Sequence, residues 1–153
     1  MKQSTRQLES YLHENIPLTR HLGICVEHCN DSSVCLSAPI KPNLNHRSTA
    51  FGGSLTTLAI TAGWLLLHTR IMTTDLKCHL VIQKSNMDFM KPVADNFKAQ
   101  CSFSDEQIWQ RFVSTLKKYG RARITVQSEI MTEAGVAGSH QGMFVAVILD
   151  KTN

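Results

Sequence analysis

The strongest hydrophobic signal in the chain lies between Gly52 and Arg70. Leu55, Leu58, Ala59, Ala62 and Leu66 fall on one helical face, and Ile60, Trp64, Leu65 and Leu67 cover much of the remainder. Ser54, Thr57, Thr61 and His68 make the polar stripe. A helix apolar around most of its circumference is a buried one. Its apolar run, Leu58–Leu67, is short of the ~20 residues that span a bilayer, so a core helix is expected and no membrane.

Shorter patterns surround it. Residues 4–14 predict an amphipathic helix with Leu8, Tyr11 and Leu12 on one side, and Pro17 ends or follows it. Gly23–Cys29 and Val34–Ile40 alternate around the turn residues Asn30–Ser32 and predict a hairpin. Lys41–Ala50 reads as a loop. Strands are expected at about Leu76–Met90, Asn96–Phe103, Arg121–Met131 and Gln141–Leu149. A third helix lies between two of these strands, capped by Ser104 or Asp105 and terminated by Gly120, with Ile108, Trp109, Phe112, Val113 and Leu116 inward. Strands joined mostly without helices imply an antiparallel sheet. Wrapped around one buried helix, such a sheet gives an α+β fold, and 153 residues suit a single domain, 1–153.

Composition narrows the class. The chain is 42% apolar and 18% charged, with a net charge of +4. The N-terminal seventeen residues lack the apolar core of a secretory leader, and five cysteines are an odd number. Reduced thiols and a cytoplasmic location are expected. Cys25, His28 and Cys29 cluster, but no paired CxxC accompanies them, so no metal site is expected. Arg111, Lys117, Lys118, Arg121 and Arg123 gather late in the chain; they form a solvated face or meet an anionic partner. Nucleic acid is not expected, since aromatics are few and no recognition motif is present.

The segment "NHRSTAFGG", Asn45–Gly53, resembles the N-x-x-G-x-x-H-G-G loop of hotdog-fold thioesterases, with Asn45, Gly52 and Gly53 matching, Ser48 in a glycine position and Phe51 in the histidine position. Together with "GRARI" (Gly120–Ile124) and "GMFVAV" (Gly142–Val147), it is similar to the YiiD C-terminal domain family of thioesterases across residues 10–150. The resemblance implies a hotdog domain, a curved antiparallel sheet around a central helix. It also implies a homodimer or dimer of dimers, and acyl-CoA or acyl carrier protein as substrate in fatty acid metabolism. No cofactor is implied beyond the CoA or phosphopantetheine thioester itself.

The chemistry would begin at the helix start. Free N–H groups and the helix dipole stabilise a developing oxyanion. Gly53, with Gly52 beside it, is the candidate oxyanion hole, and Asn45 is the candidate to orient carbonyl or water. The two glycines also fit a purely packing role. Related thioesterases carry Asp or Glu about two turns into the helix, where this chain has Ile60 followed by Thr61. Thr61 and Thr57 are candidates to hold a water, unless they bond back to the preceding turn. Asp75, Asp88, Asp95 and His46 remain open as a base. Phe51, Asn86, Arg121 and Arg123 complete the candidate substrate-binding set, the arginines for phosphate. The expected activity is acyl-thioester hydrolysis. Two alternatives stay open: decarboxylation of a malonyl thioester, which needs carbonyl polarisation but no base, and acyl-thioester binding without turnover.

Overall fold

The computed structural model describes residues 2–150. Helices α1 (Thr5–Asn15) and α2 (Pro17–His21) lead into the hairpin β1 (Cys25–Cys29) and β2 (Ser33–Ala38). A 3-10 turn at Lys41–Asn43 precedes the central helix α3 (Gly52–Met72). Then come β3 (Cys78–Phe89), β4 (Phe97–Ser102), α4 (Glu106–Tyr119), β5 (Arg121–Thr132) and β6 (Gly135–Ile148). The strands form one curved antiparallel sheet in the order β1-β2-β4-β5-β6-β3.

Strands β2, β4 and most of β5 alternate inward and outward. Ala122, Ile124, Val126, Ser128 and Ile130 of β5 are buried against α3, while Arg121, Arg123, Thr125, Gln127 and Glu129 are exposed on the outer face. Phe97, Ala99 and Cys101 of β4 and Val34, Leu36 and Ala38 of β2 extend the same inner face. α3 packs across β2, β3, β4, β5 and β6. At 21 residues it is long and apolar enough to cross a membrane, yet Leu58, Ala59, Ala62, Leu65, Leu66 and Leu67 are wholly buried in the protein core. Gly63 sets the approach of helix to sheet: a Cβ there would meet Val126 Cγ2 at 3.0 Å.

Two elements depart from the sequence reading. Pro17 follows α1 as read, but it also opens a short helix that was not expected, α2, where its missing N–H costs nothing. β6 begins at Gly135, six residues before the expected start, because Glu133–Ala134 make a tight turn directly after β5. The α4 caps are as read: Asp105 accepts from Ile108 N–H at 3.0 Å, and Gly120 takes φ 73°.

Arg70 ties the far end of α3 to the rest. It is 8% exposed. Its guanidinium donates to Asp31 O (3.2 Å), Phe103 O (3.4 Å) and Glu106 Oε1 (2.8 Å), and stacks 4.4 Å from the Trp109 ring centroid. Glu106 is 63% exposed at its side chain. The backbone bonds and the stacking should therefore outweigh the ion pair. Urea denaturation of Arg70→Ala is expected to show a loss of about 2–3 kcal/mol, and Glu106→Ala a loss below about 1 kcal/mol.

Candidate active site

The loop into α3 is built by asparagines. Asn43 donates its side-chain amide to Leu22 O (2.9 Å) and Pro39 O (2.7 Å), and its backbone carbonyl accepts from Phe51 N–H at 2.7 Å. Asn45 Oδ1 accepts from Arg47 N–H (2.8 Å) and Thr49 N–H (3.2 Å), while Nδ2 donates to Thr49 Oγ1 (2.9 Å) and Ala50 O (3.5 Å). The Asn45 side chain is thus committed to its own loop, and both amide protons have partners there. Within this turn Ser48 adopts φ 59°, the left-handed conformation that explains glycine in the resembling family pattern.

α3 begins without a side-chain cap. α1 has a capping box from Ser4 and Gln7 and α4 is capped by Asp105, but Phe51 at the α3 cap position accepts only through its backbone. Ser54 and Leu55 N–H reach Phe51 O at 2.9 and 3.2 Å. Gly52 and Gly53 N–H have no partner among the described residues. Two aromatic rings stand beside them. A Cβ at position 53 would lie 2.5 Å from Phe51 Cε1, and one at 52 would lie 3.3 Å from the Phe89 ring. Phe51 is 59% and Phe89 56% exposed. Beside them runs a groove of about 350 Å³ lined by Ala50, Gly52, Leu55, Phe89, Lys91 and Val93 among others. The helix dipole and Lys91 both favour negative charge there. The glycines therefore admit the rings and leave two N–H groups without a partner among the described residues.

The other expected residues divide. Thr57 Oγ1 donates to Gly53 O at 2.8 Å and Thr61 Oγ1 to Thr57 O at 2.7 Å, so both hydroxyl protons return to the preceding turn. Thr61 is 5% exposed, and His68 stacks on both Trp64 (4.5 Å) and Tyr11 (5.1 Å) with burial lowering its pKa. Asn86 points to the outer face, paired with Gln141, because a bulge between Ile82 and Lys84 sets the parity of β3. Arg121 and Arg123 also lie on the outer face. From Arg123 to Ile130, whose β6 partner Gly138 pairs Phe89, is seven residues, or roughly 23 Å along the strand. Arg123 Nε donates to Gln83 Oε1 at 2.8 Å. Neither arginine is brought to the start of α3. Asp88 is on the outer face, Asp75 is 3.9 Å from Lys117, Asp95 accepts from Asn96 N–H, and His46 is exposed in the loop.

Two features escaped the sequence reading. Phe89 reaches the helix start from the end of β3, for which only strand register is a signal. His140 of β6 is 2% exposed, and its Nε2 lies 2.8 Å from Ser85 Oγ on β3. Burial lowers the His140 pKa. His140 fell in a stretch of small residues, Gly135–Gly142, whose alternation is faint.

Comparison with known proteins follows this geometry. Residues 5–148 match the profile of a family described as "putative thioesterase (yiiD_Cterm)". A Chlorobaculum tepidum protein of unknown function superposes with TM-score 0.88 at 25% identity, covering 94% of this chain and 93% of that one. A structure described as a "putative thioesterase" from Shewanella oneidensis gives TM-score 0.82 at 20% identity, covering 94% and 96%. A thioesterase from Haemophilus influenzae gives 0.76 at 14%, covering 100% and 96%. The hotdog fold is common to them.

The left-handed Ser48 carries a backbone cost that glycine would not. Thermal or urea denaturation of Ser48→Gly is expected to show a gain of about 0.5–1 kcal/mol.

Proposed function

We propose a reaction from the premise that this chain belongs to the YiiD C-terminal thioesterase family, whose profile it matches over residues 5–148. The reaction is hydrolysis of an acyl thioester carried by CoA or acyl carrier protein. The observation that carries this reading is the uncapped start of α3, with free Gly52 and Gly53 N–H groups between two exposed phenylalanine rings. A thioester carbonyl oxygen placed there accepts from Gly53 N–H, with Gly52 N–H as second donor. Its bonds strengthen as the oxygen gains charge in the tetrahedral intermediate, which is the condition for catalysis rather than simple binding. The rings exclude water from the sulfur side and contact the acyl chain. Lys91 at the groove rim meets the anionic carrier.

The same reading pairs two copies through β3. This strand is twelve residues long, has β6 as its one neighbour in the sheet, and exposes Val81 (57%) and Phe89 (56%). A long, partly apolar free edge is an open template for strand pairing. A two-fold axis there would face each groove with the other copy. Light scattering after size exclusion is expected to give twice the mass of the 17.1 kDa chain; a monomer at micromolar concentration overturns the pairing.

A second reading is favoured by one feature: residues 52–72 contain no carboxylate. Decarboxylation of a malonyl thioester uses the same donors to stabilise an enolate and needs no water-activating base. Mass spectrometry of the purified protein with acetyl, medium-chain, long-chain and malonyl thioesters, on CoA and on carrier protein, separates the two. Free thiol plus free acid is expected; carbon dioxide with the thioester retained establishes the decarboxylase. Gly53→Pro deletes the N–H, but its ring also displaces the Phe51 side chain, which a Cβ at 53 would meet at 2.5 Å; Gly53→Ala makes the same displacement and keeps the N–H. Gly53→Pro is expected to lose about 10²–10³ in kcat relative to Gly53→Ala, and a folded Gly53→Pro with the turnover of Gly53→Ala refutes the oxyanion hole.

A further inference from the structure

We infer that Ser85 and His140 form the proton-accepting pair of this site, with Ser85 touching the attacking water and His140 receiving its proton through Ser85. The inference rests on the hydrolase reading above and supplies what α3 lacks.

Placement comes first. Two contacts fix how α3 lies along β3: Gly52 sits against the Phe89 ring, and Trp64 Nε1 donates to Leu80 O at 2.9 Å. Ser85 lies between Leu80 and Phe89 on the helix-facing side, since its partner across the sheet is Gly142 on the inner face of β6. His140 is cross-strand from Met87 on one side and Ser128 on the other. Ser128 Oγ in turn donates to Ala59 O at 3.2 Å. The pair therefore stands under the second turn of α3, beside Ile60, four to seven residues along from Gly53, or about 6–10 Å at the helical rise. A carbonyl held on Gly53 N–H, an attacking water and a hydrogen bond to Ser85 together span about 10 Å. The spacing of the donors and the pair therefore suits one thioester carbonyl and one water.

Their exposures are complementary. His140 is 2% exposed, whereas Ser85 is exposed at the sheet edge. The core imidazole thus reaches the exposed strand through Ser85. No charged group faces it. α3 has no acid between 52 and 72, while Asp88, Lys84 and Glu129 lie on the outer face, and α4 keeps Lys117 and Lys118 at its exposed end. Burial holds the imidazole in its neutral form, the form able to accept a proton.

The step balances as follows. The step uses the tautomer with Nε2 unprotonated and the hydrogen on Nδ1, so that Ser85 Oγ donates to Nε2. As the water oxygen adds to the thioester carbon, water passes a proton to Ser85 Oγ and Ser85 passes its own to His140 Nε2. The carbonyl oxygen takes the negative charge against Gly53 N–H. Collapse breaks the carbon–sulfur bond, and the departing thiolate recovers the proton from His140 through Ser85. The products are a free acid and a thiol.

The test uses the thioester that the wild-type protein turns over best and its unreactive thioether analogue. Ser85→Ala and His140→Gln are expected to lower kcat about 100-fold, with thioether affinity unchanged. Ser85→Thr keeps the hydroxyl and is expected to restore most of kcat. The wild-type acid limb should fall below the ordinary histidine value of 6.5 and vanish in His140→Gln. If the buried variant does not fold, the Ala and Thr variants at exposed position 85 decide alone. Wild-type turnover that survives in Ser85→Ala, or an acid limb unchanged in folded His140→Gln, overturns this role and leaves the hydrolase reading intact. No wild-type turnover on any thioester overturns both.

Discussion

The burial of α3 is the constraint from which the rest follows. A helix with apolar residues around most of its circumference needs cover on several sides, and one flat sheet cannot give it. The six strands curve around it, and α1 and α4 close what the sheet leaves open. Arg70 marks where this cover ends: the helix becomes polar there, and the guanidinium is satisfied by backbone carbonyls and ring faces from the hairpin turn and α4. The opposite end is treated differently. α3 starts at the groove, with two glycines and no cap.

That difference is informative because the chain caps its other long helices. Ser4 and Asp105 each cost little to place and each satisfy orphan N–H groups. At the start of α3 the chain instead has phenylalanine, glycine and glycine, so donors that a Ser or Asp would occupy stay free. Asn45 and Asn43 hold the approach loop rigid from a distance without touching those donors. A preorganised, unoccupied pair of N–H groups at the positive end of a buried 21-residue helix suits an oxygen that becomes an anion.

The elements were legible in the sequence where periodicity was strong. α3, α4 and β5 follow from patterns of 3.6 and 2, and Gly120 marks its turn because a left-handed residue is needed there. Two kinds of information were not legible. One is small-residue strand: Gly135–Gly142 alternates too faintly to read, so the first half of β6 passed for loop and His140 with it. The other is parity. A single bulge in β3 decides that Ser85 faces the helix and Asn86 the solvent. The resemblance brought out the Gly52–Gly53 start, but register on β5 sends Arg121 and Arg123 to the outer face. Pairwise spacing within a strand places two arginines together; it does not say which end or face of the sheet they share with a helix terminus.

The absence of a carboxylate along α3 then has a physical reading beyond loss. A carboxylate within reach of free N–H groups at a helix start is itself an anion suited to them, favoured by the same dipole that would stabilise the reaction. It competes with the substrate oxygen unless its geometry holds it away. Ile60 puts an apolar side chain where that competitor would stand, and an apolar neighbour strengthens the remaining electrostatic contacts. A neutral imidazole in the sheet floor, reached through a hydroxyl, accepts a proton without placing negative charge beside the donors. It becomes positive only when the carbonyl oxygen becomes negative, so the charges arise together in a low-dielectric cleft. The separation of roles between helix and sheet follows from that: the helix offers fixed dipoles to the anion, and the sheet offers the group whose charge changes.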